Sequence, residues 1–437
     1  QYSLFRPTLI FFLGLCAMPV LLEVVMCQVY HFELSTVNLT DLTVCLRPIR
    51  FFYILNHMHK DSSGYISKFT GFIYRNLIKP ILFLFPADGV HELFLVGGRW
   101  LGRHRFFKKL FRKMWDYENP ILNQNLAGLA FKNPIGLAAG FDYNADLVEI
   151  LPSVGFGFHT IGTLTVEPYA GNPRPMLGRL SKSKSLLVNK GFKNEGVAKV
   201  LAYVNLNLNG AIRGVSIGAT NKVYIDFETM IENIVAGFVE AEKFKNFDYY
   251  ELNISCPNLR NLENLKEKLD SSVGLTKTLS RLDVLNISRP VFIKMPLEKT
   301  FEQAKELIEA AVPFAFIKGL IFSNLAKDRN NLAFDQEEIA KAGAGNFSGK
   351  PLENQSNETL RYAYRHYHER FLLIGVGGVF TAEDAYQKIK LGASLVQLIT
   401  GMVYMGPQQI GLISKGLVKL LKRDGYHHIS EAIGVGV

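Results

Sequence analysis

A chain of 437 residues can hold one large domain with accessory segments, and 20% charged against 48% hydrophobic residues excludes wholesale disorder. The net charge of +10 suits an anionic partner, but no recognisable nucleic-acid module accompanies it, so no nucleic-acid partner is expected. Three of the four cysteines (Cys16, Cys27, Cys45) lie near the N-terminus and only Cys256 in the remainder, which speaks against a disulfide framework and for a reducing compartment.

Residues 9–22 (LIFFLGLCAMPVLL) are uncharged and apolar but fall short of the roughly 20 residues a membrane span needs, and Pro19 and Glu23 weaken them further. With Gln1 as the first residue, 1–70 reads as a poorly assigned segment, either a membrane anchor or a non-native extension. From 71, GFIYRNLIKPILFLF, a turn at Pro86, Ala87 and Asp88, and then VHELFLVGGRWLGRHRFFKKLF predict two short amphipathic helices, a hairpin over 71–115. Arg99, Arg103, Arg105, Lys108, Lys109, Arg112 and Lys113 interleave there with Trp100, Leu101, Phe106, Phe107, Leu110, Phe111 and Trp115, and read as one basic amphipathic helix on a membrane surface. The same pattern also fits a helix packed on the main domain with a solvated basic face.

Over 116–437, eight short apolar runs alternate with helical stretches: 133–140, 158–163, 214–219, 249–255, 291–296, 319–324, 372–378 and 395–400. This is an α/β pattern and predicts a (β/α)8 TIM barrel preceded by the helical hairpin. A doubly wound sheet competes, but no GxGxxG follows the first strand. The long excursions 164–213 and 325–370 are expected to build over the C-terminal face, where active sites of such barrels lie.

Each run ends in something small or polar: Gly140 and Asp142, Thr163, Ser216 and Gly218, Asn253 and Cys256, Lys294, Ser323 and Asn324, Gly377 and Gly378, Thr400. Packing alone would scatter such groups. The GVGG turn after the seventh run and LITG after the eighth suit a phosphate pocket, although glycines there also serve a tight turn. Lys294, inside an apolar run, needs an anionic partner to be buried. Cys256 is a candidate base: a thiol of ordinary pKa about 8.5 titrates nearer neutrality than a hydroxyl. A small buried hydrophobe is the alternative, against which the flanking Asn253, Pro257 and Asn258 argue.

The strings AAGFD (138–142), IGT (161–163), GNPRP (171–175), NKGF (189–192), NISCPN (253–258), FIKMP (292–296), FSN (322–324), FSGKP (347–351), IGVGG (374–378) and LVQLITG (395–401) resemble dihydroorotate dehydrogenase. The leading helices, with KPILFLF and His91 in VHE, resemble its membrane-associated, quinone-dependent class. The resemblance implies a flavoenzyme of pyrimidine biosynthesis that oxidises dihydroorotate to orotate and passes electrons through FMN to a membrane quinone. It implies that Ala138, Ala139, Gly140, Thr163, Ser216, Asn253, Lys294, Ser323, Gly349, Gly377, Gly378, Ile399 and Thr400 surround FMN, and that Lys294 faces a flavin ring that becomes anionic on reduction. Asn189, Lys190, Gly191, Phe192, Asn253, Asn258 and Asn324 are implied to hold the substrate, and His91, Phe141 and Arg179 to line the quinone path; no metal is implied. Amides suit an orotate-like ring because each offers donors and an acceptor to alternating carbonyl and N–H edges.

Three departures stand out. Cys256 replaces the serine base usual in the quinone-dependent class, Tyr143 replaces a substrate-contacting lysine, and Ser216 replaces an asparagine. The cysteine, shared with soluble classes, leaves NAD or fumarate as the alternative acceptor; the lost lysine leaves a non-catalytic, membrane-surface flavin-binding barrel. With only Arg6 and Arg47 as basic residues up to position 47, the expected location is the cytoplasmic side of a bacterial inner membrane, with the mitochondrial inner membrane as the alternative.

Overall fold

Eight parallel strands close into a barrel in a computed structural model that describes residues 62–204, 212–259, 265 and 268–437. The apolar stretch 9–22 and Cys16, Cys27 and Cys45 lie outside the described residues. The strands are β1 (Ile135–Leu137), β2 (Phe158–Leu164), β3 (Ile212–Ile217), β4 (Tyr249–Asn253), β5 (Val291–Lys294), β6 (Ile317–Phe322), β7 (Leu372–Val376) and β8 (Leu395–Leu398). All eight predicted runs supply one strand each. They pair in sequence order, and β8 returns to β1 with Val396 opposite Ile135 and Leu398 opposite Leu137, which excludes the doubly wound sheet.

Residues two apart along each strand point inward and stack in layers. Phe158, Tyr249, Phe292, Ile321, Ile374 and Leu395 fill the N-terminal end, plugged from below by Phe131. Large rings fit because glycine faces them: a Cβ on Gly136 would run into the Phe158 ring, and one on Gly214 into that of Tyr249. Above this plug lie Thr160, Glu251 and Gln397, and above those the strand-end residues. The two long excursions meet over the C-terminal face as a small antiparallel sheet of Leu177–Leu180, Ser185–Val188 and Asn346–Phe347.

Three helical segments roof this face. The first, α1, begins at Ser62, upstream of residue 71, and runs through Ser62–Ile73, a π-helical turn Tyr74–Ile78 and Lys79–Phe83. The wide turn lies where Pro80 has no N–H to offer the preceding turn. The second, α2, is Ala87–Arg103, and the third, α3, is Arg105–Trp115. The single basic helix expected from the sequence is therefore broken, at His104, whose backbone is extended (φ −101°, ψ 115°). In an unbroken helix Phe111 would face away from Gly102, since nine residues at about 100° each make a half-turn. Both Gly102 and Phe111 are buried, so the chain must bend between them.

The cap is fastened by buried polar contacts: Ser67 Oγ donates to the Met114 carbonyl (2.8 Å), Trp115 Nε1 to Thr70 Oγ1 (3.2 Å), and Tyr74 OH to the Val403 carbonyl (2.7 Å). Gly411 in the helix Gln409–Arg423 lies so close to the Trp115 carbonyl that any Cβ would collide with it.

Lys388, 1% exposed, ties together the ends of β6 and β7. Its ammonium donates to Ser356 Oγ (2.9 Å) and Asn357 Oδ1 (2.9 Å), while Ser356 Oγ reaches the Val376 carbonyl at 2.5 Å and the Phe322 carbonyl at 3.3 Å. Burial pushes its pKa down from 10.5 to about 7, against the attraction of Glu353 and Asp384. Below pH 7 the lysine is protonated in both the folded and the unfolded chain, and the folded state bears the full cost of the buried charge. From about 7 to 10.5 only the unfolded chain holds that proton, so this site adds stability as pH rises. Urea midpoints of wild type and Lys388→Met at pH 6, 8 and 10 should show the wild type gaining on the variant with pH; a constant difference would contradict the burial of this charge.

Candidate active site

A cavity of ≈ 1170 Å³ lies between the barrel mouth and the cap. From the strand ends it is lined by Ala138, Ala139, Gly140, Phe141, Thr163, Asn253, Cys256, Asn258, Lys294, Ser323, Asn324, Gly377, Gly378, Ile399 and Thr400. The excursions contribute Arg179, Lys190, Gly191, Phe192 and Gly349, and the cap contributes His91 with Ile73, Tyr74, Leu77, Ile81, Leu82, Phe83 and Phe94. One space thus joins a polar floor to an apolar roof. Two expected residues do not reach it. Ser216 is fully buried behind Thr163, which it meets at 2.9 Å, and Asn189 is turned onto Asn172, whose Nδ2 donates to its Oδ1 at 3.0 Å.

Around the NISCPN segment the amides hold one another. Asn253 Nδ2 donates to Thr163 Oγ1 (2.9 Å), and Asn324 Nδ2 donates to Ser255 Oγ (2.9 Å) and Asn253 Oδ1 (3.3 Å). Ser255 Oγ donates in turn to the Lys294 carbonyl (2.9 Å), so the ends of β4, β5 and β6 form one hydrogen-bonded unit. Cys256 is buried and in no disulfide. Lys294 is buried beside it: desolvation lowers the pKa of its ammonium, and Glu251 and Cys256 oppose that shift.

Asn172 and Asn346 escaped the sequence reading. Asn172 Nδ2 also donates to the Asn258 carbonyl (2.9 Å), and Asn346 Nδ2 donates to Asn258 Oδ1 (2.5 Å), so a loop and a strand of the small sheet, both remote in sequence, fix the residue after Pro257. The GNPRP string marks Asn172, whereas nothing local marks Asn346. Glu251 escaped too, although a carboxylate in the apolar run YYELN was a signal.

Where the cap meets the floor, His91, Lys190 and Tyr143 form a cluster. His91 Nε2 is 2.9 Å from the Phe141 carbonyl and must donate to it, which leaves Nδ1 to accept from the Lys190 ammonium at 3.1 Å. Burial first, then the charge of Lys190, hold the imidazole well below its ordinary pKa and keep it neutral. The Lys190 ammonium lies 4.3 Å from the Tyr143 ring centroid, a cation–π contact; burial and the neighbouring Lys193 push its pKa down to about 7, against the attraction of Asp88 and Glu92. Arg179 closes the far end, stacked 4.5 Å from the Phe83 ring centroid and donating to the Phe85 carbonyl (2.8 Å).

Near Thr400 the lining suits a phosphate-bearing planar group. Gly349, Gly377 and Gly378 have φ of 98°, 102° and 78°, conformations that glycine adopts freely. Among the described residues their N–H groups donate to no backbone carbonyl, and the buried Ser323 Oγ has no hydrogen-bond partner.

The family model for dihydroorotate dehydrogenase matches residues 121–421. Dihydroorotate dehydrogenase (quinone) of Roseiflexus sp. (strain RS-1) is 37% identical over 363 residues, 83% of this chain and 98% of the relative. The protein of that name from Nocardia farcinica (strain IFM 10152) is 34% identical over 361 residues, 82% of this chain and 96% of the relative. Among solved structures, DHODH from Eimeria tenella in complex with ferulenol superposes with a TM-score of 0.70 at 25% identity, covering 80% of this chain and 95% of that one. Its ligand-free form gives 0.66 at 26%, covering 77% and 98%. On the barrel, the strand-end constellation and these likenesses, the chain belongs to the dihydroorotate dehydrogenase family.

Proposed function

We propose that this chain oxidises dihydroorotate to orotate in pyrimidine biosynthesis, with FMN in the barrel mouth and a membrane quinone entering beneath the cap. The carrying observation is the single cavity that joins Cys256 and Lys294 to the apolar inner faces of α1 and α2. The family is flavin-dependent, and the residues present fit FMN. Gly349, Gly377 and Gly378, whose N–H groups donate to no backbone carbonyl among the described residues, would receive the phosphate with Thr400, Ser323 Oγ would gain a partner, and Ala138, Ala139, Gly140, Thr163, Asn253, Lys294 and Ile399 would border the ring. Ser216 acts through Thr163, and Asn189 through Asn172.

Bound FMN would supply the two-electron acceptor for hydride from C6 of the substrate. Cys256 takes the proton from C5, and the Lys294 ammonium and a thiolate at Cys256 stabilise each other. Asn253, Asn258 and Asn324, fixed by their mutual hydrogen bonds, present amides to the pyrimidine edge, with Gly191 and Phe192 closing over it. Lys190 supplies the cation that the substrate carboxylate requires, taking over from the lysine that Tyr143 replaces, while Tyr143 serves as its platform. His91, Phe141 and Arg179 line the quinone's way in.

Exposed Phe72, Leu77, Ile81, Leu84, Phe85, Trp100 and Phe106 lie on the cap beside exposed Arg99, Arg103, Arg105, Lys109 and Arg112, which supports docking on an anionic inner-membrane surface. No helix among the described residues is long and apolar enough to cross a membrane.

Anaerobic mixing with dihydroorotate should bleach the yellow enzyme. Cys256→Ala should slow this by about 10²–10⁴ near neutral pH with FMN still bound, and Cys256→Ser should keep reduction with its optimum moved to higher pH. Near-normal bleaching by the alanine variant would contradict the base assignment. Lys190→Met should raise the KM for dihydroorotate roughly tenfold or more, the worth of a charge-assisted hydrogen bond; an unchanged KM would remove Lys190 from the substrate site.

A further inference from the structure

Glu251 is the one carboxylate inside the barrel among the described residues, wholly buried on β4, and neither the chemistry nor the cofactor fit above uses it. Burial raises its pKa, and Lys294 and the hydrogen bonds from Thr160 and Gln397 oppose that shift. Gln397 Nε2, a donor, lies 2.6 Å from Oε1, and Thr160 Oγ1 donates to the same oxygen at 2.6 Å. With its hydrogen committed there, Thr160 must accept from Tyr249 OH at 2.7 Å. Donors thus run in series, Tyr249 to Thr160 to Glu251, and converge on an oxygen that only accepts, an arrangement that favours the carboxylate form. The second oxygen, Oε2, is buried without a partner among the described residues. A buried anion with an unsatisfied oxygen needs a cation. On the neighbouring strand Phe292 is opposite Glu251 and Lys294 is opposite Asn253, two residues nearer the strand end, and the Lys294 ammonium is within electrostatic reach of both Glu251 and Cys256.

We propose that Glu251 is the counter-ion that keeps Lys294 protonated beneath the Cys256 thiol, and so acts as a positioning residue for the proton abstraction. This rests on the reading of Cys256 as the base. The groups that act on Lys294 are Glu251 and Cys256; those facing Glu251 are Lys294, Thr160, Gln397 and Tyr249, the last raised well above its ordinary pKa by burial and by Glu251 itself, and therefore neutral. Without Glu251, desolvation of the Lys294 ammonium goes unopposed from below. The lysine then gives up its proton, the thiolate loses its neighbouring cation, and the base ionises only at higher pH.

Glu251→Gln keeps the shape and an acceptor oxygen but removes the charge. In FMN-loaded enzyme, the pH profile of Cys256 labelling by methyl methanethiosulfonate, read on its peptide by mass spectrometry, should move up by about one pH unit, an order of magnitude in labelling rate at pH 7. The acidic limb of anaerobic flavin reduction should move with it. Glu251→Asp, which keeps the charge but withdraws it, should shift both profiles less and in the same direction. In a Lys294→Met background, Glu251→Gln should add no further shift. Profiles that coincide with wild type, or a shift undiminished in the Lys294→Met background, would overturn the proposal; if the glutamine variant does not fold, the aspartate variant decides by the same two criteria. If labelling shifts while bleaching of Cys256→Ala is normal, the failure lies with Cys256 as base; if bleaching fails as expected but labelling does not shift, it lies with Glu251.

Discussion

Closing eight parallel strands into a narrow barrel fills its lower end with rings and branched side chains and gathers the polar groups above them, in one inner layer of Thr160, Glu251 and Gln397 and at the strand ends. Everything functional in this chain depends on what that placement does to charge. Lys294, Glu251 and Lys190 are all nearly inaccessible to water, and an isolated ion there would cost several kcal/mol. Two of them offset each other along the barrel axis. The third, Lys190, touches a neutral imidazole and an aromatic face and has only the more distant Asp88 and Glu92 to oppose its desolvation, which leaves it suited to an anion that arrives from outside.

The cap makes that environment possible. Its apolar inner face excludes water from the strand ends, while its bend at His104 lets two helical stripes of different orientation pack against one barrel. Polar floor and apolar roof belong to one space, and this suits a reaction in two halves: a water-soluble, anionic substrate handled by amides and a buried ammonium, and a lipid-soluble oxidant admitted between helices. Cys256 lies at the floor and concerns only the first half. It therefore carries no information about the oxidant, which the cap and the likeness to proteins named as quinone-dependent do address.

Much of this was legible in the sequence. The eight strands are apolar, β-branched runs bounded by glycine, proline and polar residues, and their ends carry Asn253, Cys256, Lys294 and Gly377 in order. What the sequence concealed was whatever depends on partners distant along the chain. Asn346 fixes Asn258 from the small sheet beyond β6, and His91 meets Lys190 across 99 positions. The break at His104 follows from which side of each helix meets the barrel, which a count of basic and aromatic residues does not contain. Asn189 carries the residue type expected of a substrate contact, but its amide oxygen accepts from Asn172 and it does not line the cavity.

The central claim is that one flavin-bearing cavity serves both an anionic substrate and a lipid-soluble oxidant. It is tested most directly by reducing the enzyme anaerobically with one equivalent of dihydroorotate and adding a short-chain quinone, fumarate or NAD in separate stopped-flow runs. Rapid return of the flavin absorbance with the quinone alone is the expected result. Return with fumarate or NAD, with no response to the quinone, would contradict it.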